Sequence, residues 1–249
     1  MLHPKKVGTL PPKGDEEAKR TNEIKTAIPL LDAIEIQSKT ITADALLTQR
    51  DLAVYLVEQR QAHYHFTVKG NQPTLLEDLK FYFQDRQEPD YIDISPPDHG
   101  RIETRKIWTT AELNDYLNFP HVGQAFVIER YSINKKSGHY SCEVAYGITS
   151  QKPQQADAQS ILATNRGHWC IENSCHYIID WNYDEDRSRI RTGYGPENIT
   201  RLRRFITGII IKAKGICSAA QKMRRLSFNT RSVFDYLRMT KNSCVFAQI

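Results

Sequence analysis

The stretch that decides the fold is residues 40–73, TITADALLTQRDLAVYLVEQRQAHYHFTVKGNQP. Thr40, Ile41 and Thr42 are good strand formers. TQRDLAVYLVEQR follows with Leu52, Tyr55 and Leu56 on one helical face. HYHF then alternates through Tyr64, Phe66 and Val68 until Lys69-Gly70-Asn71 breaks it. Strand, helix, strand reads as a right-handed parallel βαβ unit. Asp44 falls where the first strand should end. In an α/β unit ligands bind outside the carboxyl ends of the strands. Asp44 is therefore either a ligand-facing carboxylate or simply the cap of the next turn. Lys69 and Asn71 sit at the corresponding end of the second strand, where they could meet a phosphate or just form a turn.

Working outward, Asn22 is expected to open a helix through Ile24, Ile28 and Leu31, with residues 1–21 an irregular leader and Pro29 a bend. TLLEDLKFYFQDR, 74–86, is expected to be a short amphipathic helix. Residues 22–86 thus form one α/β portion. From 87 to 153 the pattern alternates, and 99–150 reads as antiparallel strands inserted into that unit. Arg101, Arg105, Arg130, Lys135 and Lys136 lie on the insert, as a polyanion surface or as solvated strand faces.

The densest chemistry lies at 166–191, RGHWCIENSCHYIIDWNYDEDRSRIR. A helix over 154–180 would place Ile171, Cys175, Ile178 and Ile179 on an apolar face. His168, Glu172, His176 and Asp180 would recur every four residues on another. A carboxylate held between imidazoles can bind a metal or move a proton, and a solvated polar stripe would read the same. A shared zinc is excluded, because His168 and His176 lie two turns, about 11–12 Å, apart. After Asp184, Glu185 and Asp186 the charge turns positive with Arg187, Arg189 and Arg191.

The chain has 249 residues and a net charge of +5. Residues 187–241 hold 14 lysines and arginines against two acids, Glu197 and Asp235. The rest is net acidic. A basic C-terminal quarter suits a polyanion, nucleic acid first, or a set of solvated helix faces. The apolar run FITGIII, 205–211, is too short to span a membrane. The N-terminus has no signal-peptide core. Five cysteines with no CxxC pair suggest neither a disulfide framework nor a zinc ribbon, and a reducing cytoplasm fits. NITRLRRFITGIIIKAKG is expected to be a helix with Leu202, Phe205, Ile206, Ile209 and Ile210 buried and Arg201, Arg203 and Arg204 outside. QKMRRLSFNTRSVFDYLRM should continue as a basic helical tail, making 154–249 the helical C-terminal part.

Seven segments together resemble one family: TNEIKTAIPLLD, TADALLTQRDLA, TVKGNQPTLLEDL, HGRIETR, YGITS, RGHWCIENSCHYIIDWNYDEDRSRIR and GPENITRLRR. They run from about residue 15 to at least 225, and TVKGNQP and RGHWCIEN are the most specific. The chain resembles bacterial insertion-sequence transposases of the DDE type, the group that includes the H-repeat-associated proteins. The resemblance implies a ribonuclease H-like α/β core with a strand-rich insertion and a basic helical C-terminus. It implies double-stranded DNA (element ends and target) as substrate, a nucleoid-associated cytoplasmic protein and a homo-oligomer.

It also implies three carboxylates holding Mg²⁺, or Mn²⁺ in its place, with Asp44 the second acid and Glu172 the third. His168, Asn173 and His176 would support the ligands or position DNA. Arg166 would touch phosphate, as would Lys69, Asn71, Arg101, Arg105, Arg187, Arg189 and Arg191. The family's first acid lies in an Asp-Gly-Lys segment ahead of TNEI, and this chain has no Asp-Gly-Lys. The expectation is therefore a core truncated at its N-terminus, an exposed sheet edge, weak metal binding and little transposition. The alternative function is a non-catalytic DNA-binding remnant that pairs with or inhibits a full-length transposase.

Overall fold

The computed structural model describes residues 16–98, 101–169, 177–213 and 218–240. Two compact units divide at His168. Each has its own organisation.

The first unit is a mixed α/β arrangement on a single sheet. Helix α1 (Glu16–Asp32) begins six residues earlier than the expected Asn22 and carries Pro29 within it. β1 (Thr40–Ala43) is followed by a 3₁₀ turn (Ala45–Leu47), then α2 (Arg50–Val54), which relaxes into a π turn (Tyr55–Gln59). β2 (His63–Val68) runs parallel to β1, pairing Thr42 with His65 and Ala43 with Phe66. The βαβ reading of residues 40–73 therefore holds. α3 (Pro73–Phe83) starts with its proline in the first turn, where no amide donor is needed.

The chain then forms β3 (Tyr91–Asp98), β4 (Arg101–Thr110), β5 (Gln124–Asn134) and β6 (Tyr140–Thr149). Strand structure begins at Tyr91, earlier than the alternation after residue 99 suggested, because Ile92 and Ile94 pair with Lys106 and Thr104. The strand order is β1-β2-β6-β5-β4-β3. β6 pairs antiparallel with β2, so β3–β6 extend the same sheet. β1 is an outer strand among the described residues.

The two faces of this sheet are buried differently. Tyr64, Phe66 and Val68 point to one face and pack with Leu52 of α2, Leu56 of the π turn, and Leu75, Leu79 and Phe83 of α3. On the opposite face Ile107, Phe126 and Ile128 meet Ile161 and Leu162 of α4 (Ala158–His168). α4 starts at Ala158, where residue 154 was expected. Asp157 caps it, its Oδ1 accepting from Ser160 N at 2.8 Å. The hydroxyl and amide of Ser160 hold the Asp157 carboxyl below its ordinary range.

The second unit contains a π turn (Ile178–Asn182), a 3₁₀ turn (Glu185–Arg187), α5 (Gly195–Lys212), α6 (Ala219–Phe228) and α7 (Thr230–Tyr236). Ile178 and Ile179 are buried as expected. α5 corrects the sequence reading. Its inward face carries Thr207 and Ile210, whereas Leu202 is 50% and Phe205 63% exposed. Arg203 turns inward, with its guanidinium 5.8 Å from the Tyr183 ring and 3.9 Å from Glu185 Oε1. The basic tail is two helices, because Asn229 leaves helical geometry and caps α7 through Ser232 N. Lys222 is buried and reaches back to the last turn of α5, donating to Ile210 O at 3.2 Å and Ala213 O at 2.5 Å.

Among the described residues no helix is long and apolar enough to cross a membrane. Cys142 is an exposed free thiol. The other four cysteines lie outside the described residues.

Candidate active site at the end of β1 and β2

β1 delivers Asp44 to the carboxyl end of the sheet. Its carboxylate caps the 3₁₀ turn, Oδ1 accepting from Ala45 N at 2.7 Å, and Lys69 Nζ lies 3.8 Å from the same oxygen. Both readings of Asp44 are thus compatible: it is a cap, yet its side chain stays 69% exposed. The loop after β2 is tied to the loop after β1. Asn71 Nδ2 donates to Ala45 O at 2.5 Å, and Gln72 Nε2 to Thr48 O at 2.9 Å. Buried Thr48 donates to Thr67 O at 2.7 Å, which closes the bracket. The KGNQ turn therefore holds the Asp44 loop through its side chains. Asn71, expected to meet DNA, makes that tie through its amide nitrogen. Lys69 keeps an exposed ammonium beside the acid.

A polar group below α4 was not read from the sequence. Thr42 of β1 and His65 of β2 are register partners. His168 Nδ1, in the last turn of α4, lies 3.1 Å from Thr42 Oγ1. Asn165 Nδ2 lies 3.4 Å from His65 Nε2. The His65 ring stacks on Phe126 at 4.7 Å. Burial, with a smaller contribution from the neighbouring His168, lowers the His65 pKa to about 3, so the imidazole is neutral. Phe126 in turn occupies the space above Gly147, where a Cβ would stand 2.2 Å from its ring. That contact accounts for the glycine of YGITS. Alternation signalled His65 only as a strand position, and nothing local marked it as a partner of a helix 100 residues away.

Glu172, Asn173 and His176 lie outside the described residues. The last turn of α4 is attached two residues before Asp44, and Glu172 follows His168 by four residues in the chain. Among the described residues no three His, Cys, Asp or Glu side chains gather as a metal site. Asp44 suits a hard cation as one ligand. It is an exposed oxygen donor of the kind such cations take, with the Lys69 ammonium 3.8 Å away.

The arginines divide. Arg166 pairs with Asp93 at 2.7 Å, and Arg105 is held by Glu103 and by Ser95 Oγ at 3.3 Å. Arg105 is largely covered by its partners, whereas Arg166 remains exposed on the surface beside Asp93. Burial raises the Glu103 carboxyl, but Arg130 and Arg105 outweigh it and leave its pKa low. Arg101 is exposed with no ion pair among the described residues. Arg187 is exposed, 3.7 Å from Asp184, and Arg189 and Arg191 are exposed.

The chain is similar to known proteins. The chain is 31% identical over 230 residues to YncI of Escherichia coli O157:H7, covering 88% of this chain and 57% of that one. It is 28% identical over 222 residues to the H repeat-associated YhhI of Escherichia coli strain K12, covering 84% and 57%. It therefore spans a little over half the length of these relatives. Among solved structures it is similar to the piggyBac transposase synaptic complex with hairpin DNA, at 15% identity and a TM-score of 0.38, covering 90% of this chain and 45% of that one. A superposition that loose places no residue of this chain. The decisive match is to the transposase DDE domain, over residues 15–198, and the chain belongs to that family.

Proposed function

We propose that this chain works as part of an insertion-sequence transposase that binds double-stranded DNA and cuts and joins its phosphodiester backbone. The observation that carries the reading is the 3.1 Å contact of His168 with Thr42. It fastens the last turn of α4 to the strand that ends at Asp44, and Glu172 follows that turn by four residues in the chain, which supports the reading. The parallel β1–α2–β2 unit with α4 on one face supports a ribonuclease H-like core.

Asp44 and Glu172 would hold Mg²⁺, which when bound activates the attacking oxygen and stabilises the leaving one. The chain's own residues do the positioning. Thr42 and His168 fix the end of α4. Asn71 and Gln72 hold the two loops together, so Asp44 is presented from a rigid bracket. Lys69 places a positive charge where a phosphate oxygen would approach Asp44. Arg187, Arg189 and Arg191 supply exposed charge for the duplex. The proposed partners are element ends, target DNA and a second copy of the chain, on the bacterial nucleoid.

The test is binding of the purified protein to duplex DNA across a salt series, with Mg²⁺ present and nicking read on gels. Salt-sensitive binding with weak Mg²⁺-dependent nicks supports the reading. Asp44→Asn and Glu172→Gln should each keep binding and abolish nicking. Nicking that survives both substitutions overturns the assignment. Binding without nicks by the unaltered chain favours the DNA-binding remnant.

A further inference from the structure

Register fixes where the insert lies relative to Asp44. Ala43 is level with Phe66, and Phe66 with Ile148, so Asp44 is level with Gly147. β6 does not stop there. It continues back to Tyr140, paired throughout with β5. The β3–β6 part of the sheet therefore runs on past the ends of β1 and β2, where Asp44 and Lys69 stand. At about 3.3 Å per residue its tip lies some 27 Å beyond them.

Alternation fixes which face the projecting part presents. Thr42, His65, Gly147 and Phe126 share the α4 face, and Asp44 follows Thr42 by two. Along β6 the same face carries Glu143 and Ser141. Along β5 it carries Arg130, Ser132 and Asn134, and Arg101 of β4 is register partner to Asn134. These residues, with His139, line a polar hollow of about 330 Å³.

The hollow is rich in donors. Glu143 is already engaged by Arg130 Nη1 at 3.2 Å, and Glu103 by Arg130 Nη2 at 2.7 Å. Asn134 Oδ1 accepts from the amides of Lys136 and Ser137, which leaves its NH₂ for a ligand. Arg130 Nε is buried with no hydrogen-bond partner among the described residues. Arg101 is the exposed cation of the group, with no ion pair among the described residues. Lys135 and Lys136 stand on the turn at the tip.

We infer that this hollow is a phosphodiester-binding site, which anchors duplex DNA at a distance from the site of cutting. The inference rests on the DNA reading above and specifies it. Glu143 lies four residues, and Asn134 eight, beyond the level of Asp44, which is about 13 to 27 Å. Duplex DNA rises about 3.4 Å per base pair, so the hollow meets phosphates about four to eight base pairs from the one at Asp44. Arg101, not Arg105, makes the direct contact, since Arg105 is consumed by Glu103.

The experiment measures duplex binding against salt for the full chain, Arg101→Ala, Arg101→Lys and Lys80→Ala. Lys80 is an exposed cation on α3, across the sheet from the hollow. Arg101→Ala is expected to weaken binding several-fold and to reduce the slope of log affinity against log salt by about one. Arg101→Lys should restore most of the slope, and Lys80→Ala should leave it unchanged. Thermal midpoints within a degree or two of the full chain confirm intact folds. Binding by Arg101→Ala equal to the unaltered chain overturns the hollow and leaves the DNA reading standing. An equal loss in Lys80→Ala also overturns it, since the effect is then net charge alone. No duplex binding by the unaltered chain overturns both.

Discussion

His168 Nδ1 stands 3.1 Å from Thr42 Oγ1, although 126 residues separate them in the chain. The pair fastens the last turn of α4 to the strand that ends in Asp44. Thr42→Val keeps the shape of the side chain and removes the hydroxyl. It should lower stability by about 1 kcal/mol, and amide exchange should rise in residues 165–168 more than in the rest of α4. Unchanged exchange there would show that the contact does not hold the helix end.

His65 gives the first unit a pH dependence. Its pKa is about 3 in the folded state, chiefly through burial, against about 6.5 unfolded. The unfolded chain therefore binds the extra proton as pH falls below about 6.5. The stability is fully present above that value and declines towards pH 3, by up to about 1.4 kcal/mol per pH unit. His65→Phe should flatten this part of the profile in urea titrations between pH 4 and 7. An unaltered slope in that variant would assign the dependence to other groups.

Gly147 sits beneath the Phe126 ring, where a Cβ would come within 2.2 Å of the ring and 2.8 Å of Phe66 O. Gly147→Ala should destabilise the sheet by about 1–3 kcal/mol, the usual range for overpacking. Gly138→Ala offers a contrast. It has open space around it and a φ of +67°, so its cost arises from backbone strain alone. Chemical denaturation of the two variants separates crowding from conformation, and near-neutral behaviour of Gly147→Ala would disprove the close approach.

Lys222 satisfies carbonyl oxygens at the end of α5 from a buried position. Lys222→Met retains the aliphatic stem and leaves those acceptors without their cation. A loss of about 1.5–3 kcal/mol is expected, read as earlier proteolysis between α5 and α6. Arg224, two residues along α6, is exposed, so Arg224→Met removes a cation of the same sign from the surface of the same helix. That control should alter little. Equal sensitivity of the two variants would remove the special role of the buried ammonium.

The sequence by itself determined the parallel unit over 40–73, because Tyr64, Phe66 and Val68 alternate, a helical stripe precedes them, and Lys69-Gly70-Asn71 ends the strand. It also put Asp44 at a strand end and antiparallel strands within 99–150, though not β3, which begins at Tyr91. These are local signals of period and punctuation, and short segments carry them whole. The tertiary structure alone decided which long side chains are free. Arg105 and Arg166 look as available in sequence as Arg101, yet Glu103 and Asp93 engage the first two. Leu202 and Phe205 read as core, and Arg203 as surface, until Tyr183 and Glu185 reversed the order. His65 became a partner of α4 only once Phe126 and Asn165 closed over it. The physical reason is the same in each case. Periodicity reports which face of an element turns inward, whereas pairing and desolvation depend on groups brought together from distant parts of the chain.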